Sequence, residues 1–178
     1  MTKIFAHRGA SAYAPENTME AFELAAKQGA DGIELDVHVT KDGEVVVTHD
    51  EKIDRVSNGS GFIKNMTLRE LKRLSFHNHM ESYVGAGIPT LREVLEYVST
   101  TNMDVNIELK TGIYWYPQIE EKTAFIVQET GMHDRVIYSS FNHHSIAKLK
   151  EIDSTAETAW LFSDVILDVE KYAKQNGV

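Results

Sequence analysis

The chain has 178 residues, 42% of them hydrophobic and 25% charged, which is enough apolar material for the core of one compact domain. Its formal net charge of −9 disfavours a general binder of nucleic acid or of anionic membranes. The absence of cysteine excludes disulfides, zinc–thiolate sites and iron–sulfur clusters.

Predicted strands and helices alternate along the chain. The strands cover residues 3–7, 32–38, 45–50, 105–109, 136–141 and 157–162. The helices begin at Asn17, Thr67, Thr90, about Gln118, Asn142 and about Val165, and the last of them ends at Gly177. Such alternation indicates a parallel sheet, either doubly wound or closed as a barrel. The chain has no glycine-rich dinucleotide motif and no phosphate-loop lysine motif, which weakens a nucleotide-binding interpretation.

The stretch Ile33-Glu34-Leu35-Asp36-Val37 carries two carboxylates on one strand. Side chains alternate between the two faces of a strand, so Glu34 and Asp36 point the same way. Neighbouring carboxylates repel each other, and a divalent cation with oxygen ligands compensates for this repulsion. The alternative is an exposed edge strand with a solvated acidic face.

Polar residues also occupy the ends of other predicted strands. In a barrel of parallel strands, the carboxyl ends converge on one face, so these residues are expected to meet in one pocket. They are His7 and Arg8, Glu34 and Asp36, His49 and Asp50, and Glu108 and Lys110. Three acids with a metal, two cations and two histidines provide for anion binding and for general acid–base catalysis. The set predicts phosphoester cleavage.

These residues lie in motifs that resemble the glycerophosphodiester phosphodiesterase family, within the phospholipase-C-like barrels. The motifs are His7-Arg8-Gly9, Pro15-Glu16-Asn17-Thr18, Glu34-Leu35-Asp36-Val37, His49-Asp50, Ile88-Pro89-Thr90-Leu91, Ile107-Glu108-Leu109-Lys110 and Ser139-Ser140-Phe141-Asn142. The resemblance implies one divalent metal ion, Mg²⁺ or Ca²⁺, held by Glu34, Asp36 and Glu108. It makes His7 and His49 the acid–base pair. It assigns Arg8 and Lys110 to the phosphate of a small-molecule glycerophosphodiester, which is cleaved to sn-glycerol 3-phosphate and an alcohol.

The resemblance further implies a (β/α)₈ barrel of the TIM type, which typically needs about 250 residues. Only about six strand–helix units are predicted, and the family's later motifs are absent. We therefore expect residues 1–178 to form a single catalytic domain whose C-terminal strands are missing. A looser loop insertion is expected at about 51–89.

Other interpretations stay open at this point. A related phospholipase D acting on lysophospholipids is the rival enzyme, and a truncated, non-catalytic binding protein is the rival of another class. Tyr114, Trp115 and Tyr116 could wall the alcohol side of the substrate, form a lid or contact a second copy of the chain. Four further histidines are expected to be solvated or at the surface; they are His77, His79, His143 and His144.

No apolar run approaches the ~20 residues of a membrane span, and Met1 leads into a strand without a signal-peptide pattern. We therefore expect a cytoplasmic protein with no stable membrane insertion and no nucleic-acid partner. A homo-oligomer is an open alternative.

Overall fold

The computed structural model describes residues 2–176, which contain one six-stranded sheet. Its strands are β1 (Phe5–His7), β2 (Gly32–Val39), β3 (Val45–Val47), β4 (Asp104–Leu109), β5 (Val136–Ser140) and β6 (Glu157–Trp160). Strands β1, β2, β4, β5 and β6 lie side by side in that order, and each neighbouring pair is parallel. These five strands form the parallel wall of the fold. Within residues 2–176 this wall does not close into a complete barrel. The predicted partial (β/α)₈ barrel is confirmed.

Helices connect the strands. They are α1 (Met19–Lys27), α2 (Leu68–Leu71), α3 (Leu91–Ser99), α4 (Ile119–Glu129), α5 (His143–Ile152) and α6 (Val169–Asn176). The predicted end of the last helix at Gly177 lies outside the described residues. Within residues 2–176, no helix is both long enough and apolar enough to cross a bilayer.

The third strand differs from the prediction in both length and direction. It ends at Val47 and pairs antiparallel with β2, so that Val47 lies opposite Val37. The cause is the short turn through Gly43 (φ 90°), because a connection of this length can only return the chain as a hairpin. His49 therefore follows a hairpin that lies outside the parallel wall, and the expected third parallel strand is wrong.

Helix starts follow the predicted capping residues, with one exception. Capping boxes at Thr67 and Thr90 begin α2 and α3, and Asn142 caps α5. The predicted cap at Asn17 is wrong, because Thr18 accepts the capping hydrogen bond from the Ala21 amide. Asn17 instead has a left-handed backbone (φ 57°), and its side chain serves another purpose described below.

The segment 51–89 contains short helical turns and packs over a hydrophobic cluster separate from the main core. The cluster consists of Val46, Ile53, Val56, Ile63, Leu71, Phe76 and Ile88. Val46 belongs to β3, so the same apolar contacts fix both the hairpin and the segment that follows it. The chain after His49 is thereby held against the wall.

Candidate active site

Three carboxylates meet at the carboxyl ends of β2 and β4. The strand register places Asp36 directly opposite Glu108, and Glu34 precedes Asp36 by two residues on the same face. Ligand oxygens of Glu34, Asp36 and Glu108 all lie within 4.8 Å of one another. The structure thus brings together the three predicted metal ligands.

Electrostatics within this acidic cluster fit a divalent cation. Burial, followed by the charge of Asp36, raises the pKa of Glu34 to about 8. The Asp36 side chain is fully buried, and its Oδ1 has no hydrogen-bond partner. A buried oxygen without a donor is costly, and a hard cation would satisfy it while favouring the ionised form of its neighbours.

Asn17 holds the other oxygen of Asp36. Its Nδ2 donates to Asp36 Oδ2 at 2.8 Å, and its Oδ1 lies 3.5 Å from the Asp36 amide nitrogen. This pair explains the left-handed backbone of Asn17, since a short amide side chain tolerates that conformation. Asn17 therefore orients the most buried carboxylate.

Two cations border the cluster. The Arg8 amide donates to Glu34 Oε2 at 3.0 Å, and Arg8 Nε lies 3.6 Å from Asp36 Oδ2. Lys110 Nζ donates to Glu108 Oε1 at 2.8 Å and lies 3.6 Å from Asp36 Oδ1. Cations on two sides of an acidic cluster provide for an anion that bridges them.

Backbone geometry sets the direction of the Arg8 side chain. Arg8 and Gly9 both have left-handed backbones, with φ 57° and 78°. A Cβ at Gly9 would lie 2.8 Å from the Ala21 carbonyl carbon, so only glycine fits this turn. The close approach packs the turn after β1 against α1 and leaves Arg8 facing the acids.

The two predicted catalytic histidines differ in environment. The His7 side chain is 70% exposed, and its Nε2 lies 3.8 Å from Glu34 Oε2. His49 Nδ1 lies 2.6 Å from Asp50 Oδ1, and its Nε2 lies 3.2 Å from Lys110 Nζ. Because an ammonium group can only donate, His49 Nε2 is the acceptor and Nδ1–H donates to Asp50. The basic nitrogen of His49 thus faces the acidic cluster.

A buried histidine fixes the backbone at His49. His38 Nε2 donates to the His49 carbonyl oxygen at 3.0 Å, because a carbonyl can only accept. His38 Nδ1 then accepts from the Tyr116 hydroxyl at 2.9 Å. Burial lowers the pKa of His38, which keeps the ring neutral as this pair of bonds requires.

Replacing Tyr116 by phenylalanine is expected to lower the free energy of unfolding by about 1–3 kcal/mol, because His38 Nδ1 becomes a buried acceptor without a donor. Urea unfolding measures this loss. Tyr13→Phe is the matched control, since the Tyr13 side chain is 68% exposed. Equal stability of Tyr116→Phe and the parent protein would contradict this account of the bond.

The remaining sequence predictions have mixed outcomes. His79 and His144 are exposed as expected. His77 is wrong in part, because it is half-buried with Nδ1 3.0 Å from Ser75 Oγ. His143 is also wrong in part, because it is half-buried with its ring stacked on Trp160, the centroids 4.7 Å apart.

The aromatic triplet after β4 divides between core and surface. Tyr116 is buried against His38, so it cannot act as a lid. Lys64 Nζ lies 3.6 Å from the centre of the Tyr114 ring. Of the three, only Trp115, which is 67% exposed, could still line the alcohol side of the substrate or contact a second copy of the chain.

Sequence reasoning missed Arg55, whose guanidinium donates hydrogen bonds to Glu16 and Asp50. Glu16 and Asp50 lie in the motifs Pro15-Glu16-Asn17-Thr18 and His49-Asp50, so a signal was present for them. Arg55 lies in a turn of the looser segment, where no periodicity marks it.

Comparison with known proteins gives consistent matches. The family model described as "Glycerophosphoryl diester phosphodiesterase family" matches residues 7–174. A glycerophosphodiester phosphodiesterase of Caldanaerobacter subterraneus is 50% identical over 85% of this chain and 63% of its own length. One from Bacillus altitudinis is 48% identical over 98% of this chain and 72% of its own length. The chain therefore spans about two thirds of the length of these relatives.

Among solved structures, an Oleispira antarctica phosphodiesterase in complex with the product sn-glycerol-3-phosphate superposes with a TM-score of 0.93. It shares 28% sequence identity, and the match covers 99% of this chain and 72% of that one.

Proposed function

Because the chain belongs to the glycerophosphoryl diester phosphodiesterase family, we propose that it hydrolyses glycerophosphodiesters to sn-glycerol 3-phosphate and an alcohol. The observation that carries the proposal is the convergence of Glu34, Asp36 and Glu108 beside the cations Arg8 and Lys110. The product bound to the Oleispira antarctica protein supports glycerol 3-phosphate as the product here.

The three carboxylates would hold one divalent cation, Mg²⁺ or Ca²⁺. When bound, the cation supplies charge stabilisation to the phosphoryl oxygens and lowers the pKa of a hydroxyl group at the site. Asn17 contributes by keeping Asp36 Oδ1 free, because it occupies Oδ2.

Arg8 and Lys110 bind the phosphate. The guanidinium can donate from more than one nitrogen, whereas the Lys110 ammonium acts as a compact charge. Both side chains are mostly buried, with exposures of 20% and 15%, so their charges act in a medium of low dielectric constant. They neutralise the negative charge that grows on the phosphoryl oxygens in the transition state.

His49 and His7 transfer the protons. His49 Nε2 is the basic nitrogen of the ring and accepts from Lys110 Nζ at 3.2 Å, and ionised Asp50 stabilises the imidazolium that forms when Nε2 takes a proton in place of that bond. His7 Nε2 lies on the side of Glu34 and exchanges the second proton. The nucleophile is water or the glycerol 2-hydroxyl of the substrate, and detection of a cyclic phosphate during a single turnover would identify the latter.

The purified protein is expected to release sn-glycerol 3-phosphate from sn-glycero-3-phosphocholine. Activity should disappear after treatment with a chelator and return with Mg²⁺ or Ca²⁺, because the acidic cluster would lose and regain its cation. Enzymatic determination of glycerol 3-phosphate measures the reaction. Release of choline from lysophosphatidylcholine, without activity on the water-soluble diester, would favour the phospholipase D alternative. Failure on both substrates with metal present would contradict the proposed function.

A further inference from the structure

Arg55, in the segment after the hairpin, is shared between two carboxylates. Its Nε and Nη2 donate to Asp50 Oδ2 and Oδ1 at 2.8 and 3.2 Å. Its Nη1 and Nη2 donate to Glu16 Oε2 and Oε1 at 2.8 and 2.7 Å. The Arg55 guanidinium therefore donates four hydrogen bonds, two to each carboxylate.

Each of those carboxylates holds a residue of the candidate active site. Asp50 accepts from His49 Nδ1 at 2.6 Å, and Glu16 accepts from Arg8 Nη1 at 3.1 Å. Arg55 thus joins the proposed proton-transfer group and the proposed phosphate-binding group through one intermediate residue on each side. Among residues 2–176, the Arg55 guanidinium donates hydrogen bonds to Glu16 and Asp50 alone, so it acts on the site through them.

The negative charges of Asp50 and Glu16 depend in large part on Arg55. Hydrogen bonds from Arg55, then from His49, lower the pKa of Asp50 to about 2. Burial would raise the pKa of Glu16, but the hydrogen bonds and charges of Arg55 and, to a smaller extent, of Arg8 together outweigh it, and the net shift is downward. Both carboxylates consequently stay ionised at neutral pH, as partners of a cationic side chain and of an imidazolium must be.

We propose that Arg55 is a positioning residue, which orients the His49 ring through Asp50 and the Arg8 guanidinium through Glu16. This inference rests on the proposed function, because it takes His49 as a proton-transfer group and Arg8 as a phosphate-binding group of that reaction. The planar fork of arginine is what allows one side chain to make paired bonds to two carboxylates, and lysine cannot reproduce it. Arg55 is also 43% exposed, so a purely packing role in the core does not account for it.

Arg55→Gln is expected to lower kcat about 10- to 100-fold, because misplacing a reacting group by about 1 Å costs up to about 10²-fold. KM should rise as well, since Arg8 loses its fixed orientation. Arg55→Lys keeps the charge and should recover only part of kcat. Arg73→Gln is the matched control, because Arg73 is an exposed arginine of the same segment. Unchanged kinetics in Arg55→Gln would overturn the proposal.

Double-mutant cycles separate the two branches. If Arg55 acts through Asp50, Arg55→Gln should lower kcat little further in an Asp50→Asn background. If Arg55 acts through Glu16, Arg55→Gln should raise KM little further in a Glu16→Gln background. Fully additive effects in both cycles would show that Arg55 does not work through these carboxylates, and would overturn the proposal.

A spectroscopic readout keeps this test separate from that of the proposed function. The Nδ1 proton of His49, bonded to Asp50, should give an NMR resonance that shifts or exchanges faster in Arg55→Gln and Arg55→Lys but not in Arg73→Gln. An inactive parent protein with this shift would contradict the proposed function and support the positioning role. A resonance that is unchanged in all variants would contradict the positioning role.

Discussion

Replacing Glu34 by glutamine is expected to reduce metal-dependent turnover below detection and leave the fold intact. The pKa of Glu34 near 8 means that the metal-free protein carries this carboxyl mostly protonated at pH 7, and the glutamine amide reproduces that neutral form. The amide oxygen can still accept from the Arg8 amide. We therefore expect the free energy of unfolding to change by no more than about 1 kcal/mol.

The test of Glu34→Gln combines turnover with thermal unfolding in the presence and absence of Mg²⁺ or Ca²⁺. A cation that binds only the folded state raises the melting temperature of the parent protein, and the variant should lose this increase. Glu44→Gln is the control, because Glu44 is an exposed glutamate at the hairpin turn. A folded Glu34→Gln variant with parental turnover and parental metal stabilisation would exclude Glu34 as a ligand.

Replacing His49 or His7 by alanine is expected to lower kcat by about 10²- to 10⁴-fold, the usual size of general acid–base catalysis. Substrate affinity should change much less, because Arg8 keeps its contacts and Lys110 keeps those to Glu108 and Asp36. The pH profile of kcat/KM should be bell-shaped in the parent protein, and each variant should lose one limb. The double variant should be far less than additive, since the two groups serve one step.

His133→Ala is the control for these variants. His133 precedes β5 at the opposite end of the sheet, where its Nδ1 lies 3.2 Å from Asp153 Oδ2 in a half-exposed contact. Its loss should have little effect on turnover or stability. If turnover in both His7→Ala and His49→Ala remains within a few-fold of the parent value, the proton-transfer roles belong to other residues.

Strand periodicity together with the expected parallel sheet was sufficient to predict that the three carboxylates meet, whereas their assignment as metal ligands came from the family resemblance. Glu34 and Asp36 share a face because side chains alternate, and parallel pairing then brings Glu108 opposite Asp36. No knowledge of the loops is needed for this result. The same reasoning placed Lys110 beside Glu108, where the structure has it.

Residues that depend on tertiary contacts were less predictable. Asn17 and Thr18 are both good helix caps, and the hydrogen bonds between Asn17 and Asp36 accompany the choice of Thr18. Arg55 forms hydrogen bonds with carboxylates from two separate loops, and no local sequence pattern predicts such a contact.

The antiparallel direction of β3 could have been predicted from the sequence, because the Asp42-Gly43 turn is a hairpin signal.

The β2–β3 hairpin also bears on the order in which the charges assemble during folding. Its strands are joined by a short turn, so little loop-closure entropy opposes their pairing. Pairing of β2 with β4 must instead wait until the long intervening segment has folded back. We therefore expect the like charges of Asp36 and Glu108 to meet late in folding, so that a cation bound between them slows unfolding more than it accelerates folding.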